Sequence, residues 1–149
     1  MMDKPTSPGM YFGADAAGYA DAIRGYIDNE IYSSKYYELL ARKAPSGKRK
    51  QTILKMSQDE IKHAKKLATA YFLATGNHYF SQPPGLYNRI PPFRIALRER
   101  FKEEYAASAK YSKTAEETDD SLLQELLGSL AQDERRHAAE LQEMIEESI

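Results

Sequence analysis

Two stretches of the sequence set a glutamate and a histidine three residues apart in nearly the same words. They are Gln58-Asp59-Glu60-Ile61-Lys62-His63-Ala64 and, 74 positions later, Gln132-Asp133-Glu134-Arg135-Arg136-His137-Ala138. On a helix, residues three apart share a face, so each phrase presents a carboxylate beside an imidazole. What that pair can do depends on where its face points. In the second phrase Leu123, Leu127, Leu130, Glu134, His137, Leu141 and Met144 recur at steps of four and three, the inward seam of a bundle helix. The first behaves alike, through Ile53, Met56, Glu60, His63, Leu67 and Ala70. Both pairs are aimed at the interior, where ionisable groups need compensation.

The 74-residue offset extends beyond the phrases. It sets Glu30 on Glu104 and Tyr37 on Tyr111. A spacing of seven is about 700° of helical rotation, roughly 20° short of two full turns, so each Glu shares a face with its Tyr. Four helices would each bring one carboxylate to mid-seam, and two would also bring a His. Four bare carboxylates facing one another in a dry core cost several kcal/mol each. Two divalent cations would cancel their charge and leave neutral imidazoles as the remaining ligands. Hard oxygen with imidazole suits iron(II) or manganese(II) better than structural zinc, which favours sulfur-rich tetrahedra.

The helices that must position these residues are legible. The first is expected from about Asp15, as N-cap, to about Lys43, with inward Ile23, Tyr26 or Ile27, Glu30, Ser34, Tyr37 and Leu40 or Ala41. Ala44-Pro45-Ser46-Gly47 ends it. The second runs from about Lys48 to Thr75 and stops at Gly76-Asn77. Pro83, Pro84, Gly85, Pro91 and Pro92 mark 76–92 as a connection without regular structure. A helix of about 28 residues spans roughly 42 Å and a chain of about 17 can reach roughly 56 Å, so this crossover can traverse the bundle and leave the second and third helices parallel. The third helix, about Phe93 to Glu117, turns inward Leu97, Phe101, Glu104, Ser108, Tyr111 and Ala115. After Thr118-Asp119-Asp120, Ser121 and Gln124 resemble a capping box opening the fourth, about Ser121 to Glu147. The expected fold is all-α: two helical hairpins joined by a long crossover. Residues 1–13 are expected to be a flexible tail and 14–149 one bundle domain.

Composition narrows the function classes. With 149 residues the chain can bury a core without staples. A net charge of −1, from 21 basic and 22 acidic residues, offers no footprint for nucleic acid or an anionic membrane. The short Lys48-Arg49-Lys50 run does not alter this. Cysteine is absent, which removes disulfides, thiolate-held clusters and a cysteine nucleophile. No signal-like or membrane-length apolar run occurs, so a soluble cytoplasmic protein is expected, with leaderless export as the open alternative.

One Glu from each of two helices and Glu-x-x-His from each of the others is the pattern of ferritin-like di-iron and di-manganese proteins. Through Glu30-x6-Tyr37, Glu60-x-x-His63, Glu104-x6-Tyr111 and Glu134-x-x-His137, from about Asp15 to Glu147, the chain resembles the rubrerythrin branch of that superfamily, with bacterioferritin more distant. The resemblance implies a left-handed four-helix bundle with bridging Glu60 and Glu134, terminal Glu30 and Glu104, and one His per metal. It also implies a reduced di-iron centre that is oxidised by peroxide or dioxygen. Three departures stand beside it. Many rubrerythrins carry a cysteine-ligated module that feeds in electrons, so turnover here is expected to need an external donor. Phe101 occupies the position of the further Glu that lets one iron exchange ligands. Ile61 follows Glu60 where bacterioferritin offers a haem-binding Met, so no haem is expected.

Around this site, pseudo-two-fold symmetry pairs Asp59 with His137 and Asp133 with His63 as carboxylate supports, against the alternative of surface aspartates. Tyr37 and Tyr111 are expected to bond ligand carboxylates across the bundle, with simple core packing or a redox role as alternatives. His78 reads as structural or exposed, and Glu38, Glu99, Glu103 and Glu140 as solvated. The functional expectation is a di-iron, or di-manganese, oxidoreductase acting on peroxide or dioxygen. Ferroxidation in a multimeric assembly and a non-catalytic metal-binding bundle are the alternatives, and a homodimer is the expected assembly.

Overall fold

The computed structural model describes residues 12–82, 85–86 and 89–148. Its helices are α1 (Ala14–Ala17), α2 (Ala20–Arg42), α3 (Gly47–Thr75), α4 (Phe93–Glu117) and α5 (Ser121–Glu147), and no strand occurs among the described residues. Hairpin α2–α3 packs against hairpin α4–α5. Side-chain bonds fix the directions. Tyr26 meets Thr114 and Ser33 meets Arg100, so α2 and α4 are antiparallel; His63 meets Asp133 and His137 meets Asp59, so α3 and α5 are too. Because α2 also runs against α3 through Ser34 and Ser57, α3 and α4 are parallel, which is the arrangement the long crossover permits.

The first helix differs from its expected form. It breaks at Gly18–Tyr19, and Asp15 sits inside α1, whose N-cap is Gly13 with no side-chain cap. Gly18 is a poor helix former, and Asp15 is engaged elsewhere: it accepts bonds from Thr118 Oγ1 and, at 2.9 Å, from the Asp119 amide. The α4–α5 turn thereby captures the start of the other hairpin, and Gly13 N donates to Asp120 Oδ2 at 2.7 Å. Asp120, not Ser121, caps α5 by accepting from Leu123 N at 2.8 Å, while Gln124 reaches back to the Thr118 carbonyl. Ser121 lies one position inside the helix, beyond the N-cap geometry. Ser46 caps α3 through Arg49 N, and Gly76 ends it at φ 77°, a left-handed conformation that glycine adopts without steric cost.

The core divides into two apolar clusters. One holds Ile23, Ile27, Leu67, Leu123, Leu127 and Leu130; the other Leu40, Ile53, Met56, Leu97, Leu141 and Met144. Burial of these seams drives helix association. Between them lies a layer of buried carboxylates and imidazoles. In the crossover, the described residues lack regular structure and are tied to α2: Tyr79 and Ser81 donate to Asp28, and Lys43 Nζ to the Ile90 carbonyl. Pro83 and Pro84, part of the linker reading, and residues 1–11 of the expected tail lie outside the described residues. Phe12 packs on the first cluster.

On α4 the inward face is turned by about one position from that expected. Arg100 and Thr114 are buried, while Phe101 and Ala115 are only partly so. Arg100 lies four residues before Glu104, closer to the same stripe than Phe101, and its guanidinium has partners in the core that make its burial tolerable.

Candidate metal centre

Glu30 on α2, Glu60 and His63 on α3, Glu104 on α4, and Glu134 and His137 on α5 meet at mid-bundle, none more than 2% exposed. They form two overlapping groups: Glu30, Glu60, His63 and Glu134, and Glu60, Glu104, Glu134 and His137. Within each group one donor atom per residue lies within 4.8 Å of the others. His63 Nδ1 is 2.9 Å from Glu134 Oε1 and 3.3 Å from Glu30 Oε2; His137 Nδ1 is 3.0 Å from Glu60 Oε1 and 3.7 Å from Glu104 Oε2. Glu60 and Glu134 belong to both groups and stand between them.

The outer faces of these side chains are satisfied in matching pairs. His63 Nε2 lies 2.8 Å from Asp133 Oδ2 and His137 Nε2 lies 2.9 Å from Asp59 Oδ2. Arg136 reaches both aspartates, at 3.4 Å and 3.2 Å. Tyr37 Oη donates to Glu104 Oε1 at 2.5 Å, and Tyr111 Oη to Glu30 Oε1. Each tyrosine is thus bonded to the carboxylate of the opposite hairpin. Burial, and then the adjacent carboxylate, push both phenols well above the usual tyrosine range, so they remain donors.

The inner faces are not satisfied. Glu30 Oε2, Glu60 Oε1, His63 Nδ1, Glu104 Oε2, Glu134 Oε1 and His137 Nδ1, one atom from each of the six residues, are buried without a well-formed hydrogen bond and face only one another; Arg100 Nε is likewise buried and unbonded. Orphaned buried atoms are rare, and six converging ones need a common partner. Donors about 2.0–2.2 Å from one cation sit roughly 3–4 Å from each other, which matches the spacings here. The donor set therefore fits divalent metal.

Without metal, protons must stand in. Glu60 is pushed well above the carboxylate range by burial and then by Glu104, Glu30 and Glu134. Burial and the neighbouring Glu104 push Glu134 up to about 10. Against burial, Glu104 is held low by Glu134, His137 and Arg100, so it carries charge while Glu134 carries a proton. Burial alone would lower His63, but Glu134 and Glu30 outweigh it and raise the imidazole to about 11; His137 is raised by Glu104 and Asp59 against the same penalty.

The sequence model of the rubrerythrin family matches residues 22–145. The chain belongs to the rubrerythrin family. No match emerges among curated proteins or among solved structures. In this rubrerythrin-family chain the all-α bundle is ferritin-like, and its buried Glu–His cluster could hold metal.

Arg100 escaped the sequence reading, because arginine is rarely buried and no motif marks it. Its signals were its place four residues before Glu104 and its 74-residue offset from Tyr26. His78 is exposed and stacks on Phe72 at 4.4 Å. Glu38, Glu99 and Glu103 are exposed and Glu140 partly so; Glu99 accepts from Tyr36 at 3.3 Å. Among the described residues, no helix is long and apolar enough to cross a membrane.

Proposed function

We propose that this chain is a non-haem di-iron oxidoreductase of the rubrerythrin type that reduces peroxide or dioxygen, taking electrons from an external donor. The convergence of six buried donor atoms that face only one another, one from each of Glu30, Glu60, His63, Glu104, Glu134 and His137, carries the reading. Glu60 and Glu134 would serve both iron ions, Glu30 with His63 would help hold one and Glu104 with His137 the other; manganese is the alternative metal. When bound, the pair supplies Lewis acidity and the electrons passed to the oxidant.

The chain's own groups prepare that chemistry. Asp133 and Asp59 accept from His63 and His137 at Nε2, which turns each Nδ1 lone pair inward. The Nδ1 proton that His63 holds in the metal-free protein leaves as a cation enters, so binding releases protons. Tyr37 and Tyr111 hold one oxygen of Glu104 and Glu30 and leave the other facing the centre. Access is through a cavity of about 510 Å³ between α2 and α4, lined by Glu30, Glu60 and Glu134 at its floor and by Tyr32, Lys102 and Lys110 toward solvent. The apolar clusters above and below exclude water from the rest of the layer.

To test this, the protein is loaded anaerobically with iron(II) and mixed with peroxide. Two irons per chain and rapid appearance of ferric absorption are expected; iron that stays ferrous through prolonged exposure would favour a purely structural metal. Exposed Phe80, Ile95 and Tyr105 support a homodimer, and size exclusion distinguishes it from the cage that an iron-storing ferroxidase would form.

A further inference from the structure

Across the 74-residue offset the two halves of the centre make the same contacts: Tyr37 on Glu104 and Tyr111 on Glu30, Asp59 on His137 and Asp133 on His63. Next to one ligand the correspondence fails. Tyr26 and Arg100 are offset mates, yet Tyr26 is a neutral group that shares a hydrogen bond with Thr114 and packs edge-on against Tyr111 at 4.8 Å. Arg100 is only 3% exposed. It donates to Ser33 Oγ at 2.8 Å and to Glu104 Oε1 at 3.1 Å, with its guanidinium carbon 5.1 and 4.9 Å from the ring centres of Tyr36 and Tyr37. Among the described residues, its one ion pair is with Glu104.

We propose that Arg100 is a positioning residue that makes the two metal positions unequal, so that the Glu104–His137 half binds a divalent cation more weakly than the Glu30–His63 half and fills second. The inference rests on the di-metal reading. Arginine keeps its charge at any physiological pH, and a fixed cation in a dry site opposes a second cation far more than it would in water. Four carboxylates already balance two divalent ions, so Arg100 adds a positive charge that a loaded centre does not need, on one side only. It also occupies Glu104: Oε1 accepts from both Tyr37 and Arg100, whereas Oε1 of Glu30 accepts from Tyr111. Glu104 is consequently the more firmly held of the two terminal carboxylates. The Glu104–His137 half becomes the exchangeable position.

Single-half variants test this without interference between two bound ions. His137→Ala leaves the Glu30–His63 half and His63→Ala leaves the Glu104–His137 half. Each full-length variant is titrated with cobalt(II) by calorimetry, with the visible cobalt spectrum as a second readout. His137→Ala should bind one cobalt at least about tenfold more tightly than His63→Ala. Adding Arg100→Gln to His63→Ala, which removes the charge but keeps an amide donor, should close most of that gap. Arg100→Lys in the same background should keep the gap and alter the spectrum, since the charge stays while the fork holding Glu104 is lost. Equal affinities of the two single variants, the reverse order, or a gap that a folded Arg100→Gln protein leaves unchanged would overturn the proposal. Should Arg100→Gln fail to fold by circular dichroism, the comparison of the two single variants still decides. Failure of the wild-type chain to bind cobalt at all would remove the di-metal reading itself, a result distinct from two equal halves.

Discussion

Glu134 stands in both donor groups and Asp133 beside it contacts the histidine of the opposite hairpin, so adjacent residues on α5 meet the buried layer in different ways. Asp133 and Asp59 contribute no atom to either donor group. They accept from Nε2, and replacing either by Asn offers that nitrogen an amide in place of a charged acceptor. Asp133→Asn and Asp59→Asn should each weaken metal affinity by about 10–100-fold while leaving the fold intact, as measured by competition with a chelator. An unchanged affinity would return both aspartates to ordinary surface roles. At this scale the Glu–His phrases, the offset mates Glu30 and Glu104, and the crossed Asp and Tyr partners were legible, because a repeat reports symmetry directly. Arg100 was not, since its burial depends on Ser33, Tyr36 and Tyr37 arriving from another helix.

Among the elements, α4 and α5 begin and end where their sequence signals place them, and α3 begins one residue early. Periodic seams, Gly76 and the proline-rich connection are local signals that tertiary structure had no reason to override. The break between α1 and α2 was hidden because its cause is non-local: Asp15 is drawn to the α4–α5 turn, more than 100 residues away in sequence. Asp120 serves both sides of that junction, capping α5 and accepting from Gly13 N. Asp120→Ala should therefore destabilise the protein by about 1 kcal/mol, the usual worth of an N-cap, and chemical denaturation measures it. Amide exchange should also quicken at Gly13, whose bond is lost. A change confined to α5 would mean that the Gly13 contact contributes nothing to the docking of α1.

For the whole molecule, the carboxylate layer couples folding to protons and metal. In the metal-free chain His63, ordinarily near 6.5, is raised to about 11, and Glu134, ordinarily near 4.5, to about 10. Both shifts mean that the folded chain binds more protons than the unfolded one. Their stabilising contributions are full below 6.5 and 4.5 respectively, and are lost as pH climbs toward about 11 and about 10. The lowered Glu104 acts in the opposite sense, but only in acid, as pH falls below the carboxylate range. Metal-free protein should accordingly melt at progressively lower temperature from roughly pH 6 to pH 9, with metal flattening the trend because it takes the place of those protons. Thermal melts with and without metal check both statements.

Metal content per chain tests the account most directly. Wild-type protein and Glu134→Ala are equilibrated anaerobically with iron(II), desalted and assayed. Two irons per wild-type chain and almost none in the variant are predicted, since removing Glu134 takes a donor from both groups at once. Fewer than two irons in the wild type, or a variant that keeps both, would contradict it.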